Sequence, residues 1–64
     1  MEHITGQQAK VEIWNSVKKQ SDFFDCEILS TTAATDREYR VNIKILHNNV
    51  ELRECAPECV IINK

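Results

Sequence analysis

A chain of 64 residues, 42% hydrophobic and 28% charged, has room for one small core, and its mix is that of a folded globule rather than a disordered tail. Its longest apolar runs, Val60-Ile61-Ile62 and Ile45-Leu46, fall far short of the roughly 20 residues of a membrane-spanning helix, and Met1-Glu2-His3-Ile4 lacks the charged-then-apolar start of a signal peptide. A formal net charge of -2 argues against nucleic acid, whose binders carry a basic patch, and favours a basic partner such as a Lys/Arg-rich tail.

Punctuation is sparse: Gly6 and Pro57 are the only glycine and proline, and the chain has no internal repeat. One domain is expected, spanning residues 1–64 with its core over residues 6–62. Apolar and polar residues alternate along most of it, the period of a half-buried strand. In the first run Ala9, Val11 and Ile13 share one face and Lys10, Glu12 and Trp14 the other, until Asn15-Ser16 interrupts. A helix over residues 7–20 competes, because Ala9, Ile13, Val17 and Trp14 also fit a helical stripe, and would make the fold α+β. The β-branched Val11 and Ile13 beside Trp14 favour the strand.

The second run, Phe23 to Thr32, sets Phe24, Cys26, Ile28 and Ser30 against Phe23, Asp25, Glu27 and Leu29. The adjacent Phe23 and Phe24 must point to opposite faces, so one enters the core and the other meets solvent. Thr31 to Asp36 is small and turn-forming and predicts a loop. The third run, Tyr39 to Leu46, sets Tyr39, Val41, Ile43 and Ile45 against Arg40, Asn42 and Lys44. His47-Asn48-Asn49 predicts a tight hairpin, since Asn tolerates a left-handed backbone. A fourth strand runs from Val50 to Cys55, Ala56-Pro57-Glu58 predicts one helical turn, and Cys59 to Ile62 the last strand. Five short strands in a chain too small for a sandwich predict an all-β, five-stranded SH3-like barrel, whose closure removes exposed sheet edges.

The three cysteines, Cys26, Cys55 and Cys59, make an odd set and predict free thiols in a reducing compartment, nuclear or cytoplasmic. Cys55 and Cys59 with Cys26 and His47 raise zinc, but no second Cys pair completes a tetrahedral set, so no metal is expected. A single glycine builds no phosphate-cradling loop, and no nucleophile stands with a base and an oxyanion site. No cofactor and no catalytic residue are expected. Asp22, Asp25 and Glu27 read as a solvated acidic strand edge beside Trp14, able to attract a basic tail.

The stretch Phe23-Phe24-Asp25-Cys26-Glu27-Ile28-Leu29-Ser30, then Tyr39-Arg40-Val41 and Val50-Glu51-Leu52, comes after Gly6 and a strand ending in Trp14. It precedes a Pro57 turn and the apolar Val60-Ile61-Ile62. This order resembles the Tudor domains over nearly the whole chain, Gly6 to Ile62. The resemblance implies a non-catalytic binding module that grips a methylated Lys or Arg in an aromatic cage at one end of the barrel. Carried over, Trp14 and Phe24 match the aromatic residues of the first two strands. Lys44, His47 and Asn49 fall where the remaining cage residues stand, with His47 replacing an aromatic and Asn49 as the polar closing residue. With Tyr39 opening the third strand, the expected rim is Trp14, Phe24, Tyr39, His47 and Asn49. The expected partner is a basic peptide, methylated or not, of a chromatin or RNA-associated protein, bound by a monomer. Two alternatives stay open: an Sm-like barrel that binds RNA or assembles into an oligomer, and a small inhibitor or effector docking on one protein by its sheet edge.

Overall fold

The computed structural model describes residues 3–33, 35 and 38–63. The expected loop Thr31 to Asp36 falls partly outside these residues, at Ala34 and Asp36; its first three members extend a strand instead. The strands are β1 Gln8–Asn15, β2 Gln20–Ala33, β3 Tyr39–Ile45, β4 Glu51–Cys55 and β5 Val60–Ile62, with a 3-10 turn at Pro57–Cys59 before the last. They form one antiparallel sheet in the order β4-β3-β2-β1-β5. The fold is a small all-β, SH3-like one; β4 and β5 do not pair with each other, so the sheet keeps two edge strands that full closure would have removed. Among the described residues no helix is long and apolar enough to cross a membrane.

The competing helix over residues 7–20 is not formed. β1 pairs along its whole length with β2, from Gln8 opposite Glu27 to Asn15 opposite Gln20. Satisfying the backbone across two neighbours, β2 and β5, lets Ala9 and Val11 bury completely on one face while Lys10 stays in water.

β2 organises the sheet. Its first half pairs with β1 and its second half with β3, and an extra residue at Leu29 breaks the register between Ile28 and Ser30. Such a bulge bends a strand and re-aims the side chains beyond it. Ser30 therefore leaves the face of Cys26 and Ile28, where unbroken alternation puts it. It lies opposite Asn42 on the other side of the sheet.

The core consists of Ala9 and Val11 from β1, Cys26 and Ile28 from β2, Val41, Ile43 and Ile45 from β3, and Val60 from β5. Ile13, Phe24, Tyr39, Leu52, Cys55 and Ile62 pack around it. The segment ahead of β1 is tied down by the Gly6 N–H to the Ile28 carbonyl (2.7 Å) and the Ile28 N–H to the Gln7 carbonyl (2.9 Å). Gly6 takes φ +87°, a left-handed conformation that only glycine adopts without strain.

Candidate functional site

The β1–β2 hairpin and the β3–β4 turn converge at one end of the fold and enclose an open cleft of about 480 Å³. The hairpin is shaped by Asn15, whose Oδ1 accepts the N–H groups of Val17 (3.1 Å) and Lys18 (3.0 Å). The β3–β4 turn is shaped by Asn48, whose Oδ1 accepts the Val50 N–H (3.0 Å). Both are side chains substituting for backbone turn bonds, the usual role of Asn in loops.

Trp14 stands on one wall and is 64% exposed. Phe24 stands on another, half-buried against the core, with its ring stacked on His47 at 5.6 Å between centroids and 28° between planes. Ile13 and Ile45 line the same cleft. Asp22 supplies its charge: it lies opposite Ile13 in the register, and its Oδ2 accepts from Asn15 Nδ2 at 3.0 Å. That hydrogen bond is the main cause of a carboxyl held below the usual carboxylate range, with help from Gln20 and the nearby Lys18 charge. Asp22 is therefore ionised at neutral pH.

Of the five rim residues expected from the sequence, the structure brings Trp14, Phe24 and His47 into this cleft. Asn49 sits in the adjoining turn at φ +58° and does not line it; Asn48 does. Tyr39 lies at the far end of β3, whose seven residues separate it from the His47 end by roughly 20 Å at strand rise. There its hydroxyl meets His3 Nδ1 at 2.6 Å, beside a second groove of about 530 Å³ lined also by Pro57, Glu58 and β5. Lys44 faces away from the cleft, opposite Glu27 in the β2–β3 register. Asp22 and Asn15 are the site residues that reading for a rim passes over, although the sequence sets the acid near Trp14.

The cleft sets aromatic faces beside a carboxylate. Indole, phenyl and imidazole faces present negative quadrupole or polarisable surface, and a fixed carboxylate sits among them. Ser16 also lines the cleft with His47 and Asp22, but the Asp22 carboxylate is bonded to Asn15 and the His47 ring is stacked on Phe24. No hydrogen-bonded relay joins these three among the described residues. Nor, among the described residues, does any group of three or more His, Cys, Asp or Glu side chains gather there in a metal-binding arrangement. No family model matches the chain, and no curated protein or solved structure matches it either.

Proposed function

We propose that this chain is a non-catalytic, Tudor-like binding module that receives a basic side chain, Lys or Arg with or without methylation, in the Trp14–Phe24–His47 cleft. The observation that carries the reading is the ionised Asp22 in the same open cleft as an exposed indole and a stacked Phe24–His47 pair. An apolar ligand gains nothing from the carboxylate, and an anion is repelled by it. A cation with an apolar stem satisfies both walls. The chain's net charge of -2 adds a general attraction for basic tails of the kind that chromatin and RNA-associated proteins carry. The resemblance to Tudor domains supports the same class of ligand.

The test is an NMR titration of the labelled protein with unmethylated and methylated Lys and Arg peptides, with an acidic peptide as control. The Trp14 indole resonance is expected to move with the basic peptides only. A cation over an aromatic face contributes about 0.5–2 kcal/mol, so Trp14→Ala weakens binding by roughly 2- to 30-fold. Its spectrum stays folded, because the side chain lies mostly in solvent. Equal affinity in the variant, or shifts confined to residues far from the cleft, overturn the proposal.

A further inference from the structure

We propose that Cys55 and Cys59 are an oxidisable pair, converted by a small-molecule disulfide into a cystine that staples the end of β4 to the start of β5. β4 and β5 are the two outer strands of the sheet, and the 3-10 turn is the link between them. Cys55 is the last residue of β4, and Cys59 is the residue immediately before β5. The turn curls the chain back on itself through the Cys59 N–H to Ala56 carbonyl bond (3.0 Å) and the Val60 N–H to Pro57 carbonyl bond. The turn thus returns Cys59 to hydrogen-bonding distance of Ala56, the residue next to Cys55, and a disulfide asks only that the two Cα atoms come within about 7 Å.

Access separates this pair from the third thiol. Cys55 and Cys59 are both partly exposed, whereas Cys26 is fully enclosed between Ala9 and Ile45 in the middle of the sheet. Burial is the first cause that pushes the Cys55 thiol up, and the charge of Cys59 is the next, in keeping with their places on either side of one short turn. Cys26 is pushed up to about 11, chiefly by burial and then by Cys55, and with no exposed surface it is the least accessible of the three. β2 and β4 are also separated by β3, so a Cys26–Cys55 bridge has to cross the interior.

The chemistry is thiol–disulfide exchange. One of the pair loses its proton and, as a thiolate, attacks a sulfur of oxidised glutathione, expelling one glutathione thiolate and leaving a mixed disulfide. The other, also deprotonated, attacks the protein sulfur of that adduct and expels the second glutathione. Two protein S–H bonds are lost and one S–S bond forms; one glutathione disulfide is reduced to two thiols.

The experiment incubates the full chain with a graded series of oxidised and reduced glutathione, then applies alkylation and mass spectrometry. Expected is a loss of about 2 Da in the intact protein, with one alkylatable thiol left of three. Tryptic cleavage after Arg53 places Cys55 and Cys59 together in peptide 54–64 and Cys26 in peptide 20–37. The loss of about 2 Da must therefore appear within peptide 54–64 itself, with Cys26 alkylated. In Cys26→Ser the loss persists; in Cys59→Ser it disappears, and a glutathione adduct on Cys55 replaces it. A cross-link between the two peptides, or oxidation that stops at glutathione adducts in the wild-type chain, overturns the proposal without touching the cleft at the other end of the fold.

Discussion

Asn15 does two things with one side chain. Its carbonyl oxygen fixes the backbone of the β1–β2 hairpin, and its amide holds Asp22 toward the cleft. The lowered Asp22 pKa has this bond as its largest cause. A carboxyl whose folded pKa lies below its unfolded value contributes stability above the unfolded pKa and loses it as pH falls through the folded one. Because Asp22 meets solvent, that contribution is small, and the titration itself is the better readout. Asn15→Ala is expected to move the Asp22 midpoint upward toward the ordinary value of about 3.9, monitored by carboxyl carbon NMR. A midpoint that stays where it is means that another group holds the carboxylate ionised. The aromatic part of this site was legible in the sequence, because Trp, Phe and His declare themselves by type. Its acid was legible only as one of three charges on a strand edge near Trp14: Gln20, Ser21 and Asp22 show no apolar alternation, so β2 reads as starting at Phe23, and the pairing of Asp22 with Ile13 stays hidden. Tyr39 enters the expected rim for the opposite reason. Its residue type fits, but it pairs with Ala33 at the end of β2, while Phe24 lies near the beginning of that strand.

At the scale of elements, alternation revealed the five strands and their buried faces, since burial of every second residue leaves its mark on composition. Bulges leave no such mark. β4 carries one extra residue against β3 between the Val41–Cys55 and Ile43–Leu52 pairs, and Glu54 there takes φ +57°. Asn42 holds the distortion in place. It is only 5% exposed, its Oδ1 accepts the Glu54 N–H (2.9 Å), and its Nδ2 faces Ser30 Oγ (3.0 Å) and Thr32 Oγ1 (3.1 Å). Alternation assigns Asn42 to solvent; the two bulges gather enough polar partners around it to bury it instead. A left-handed conformation costs a non-glycine residue about 1–2 kcal/mol, partly offset in a glycine variant by a more flexible unfolded chain. Since the Glu54 side chain is exposed, Glu54→Gly is expected to stabilise the fold by about 0.5–1 kcal/mol, read as a higher urea midpoint at unchanged slope. A lower midpoint shows that the Glu54 side chain contributes more than its backbone strain costs.

For the molecule as a whole, the exposed ends of an open sheet are the hazard, and the two edges are handled differently. β4 carries the Arg53–Glu51 ion pair (3.1 Å) and a bulge, both of which discourage another strand from pairing. β5 is short but apolar, with Ile61 47% exposed. The Asn63 N–H to Gln8 carbonyl bond sets its phase: Ile61 faces Lys10 as a hydrogen-bonded pair, and Val60 and Ile62 turn their backbone groups outward. Val60 is closed off twice, by its N–H to the Pro57 carbonyl and by His3 Nε2, which donates to its carbonyl at 2.6 Å. With the hydrogen on Nε2, the Tyr39 hydroxyl donates to Nδ1, so the buried imidazole has both nitrogens satisfied. The side chain of His3 thus stands where an incoming strand would dock. His3→Ala removes the cap, leaves a buried carbonyl unpaired and is expected to cost about 1–3 kcal/mol in urea unfolding. It is also expected to uncover the edge, so that sedimentation shows self-association rising with concentration while the parent chain stays at 7.4 kDa. Loss of stability without association assigns His3 to packing alone. Association in the parent chain as well shows that the edge was never closed.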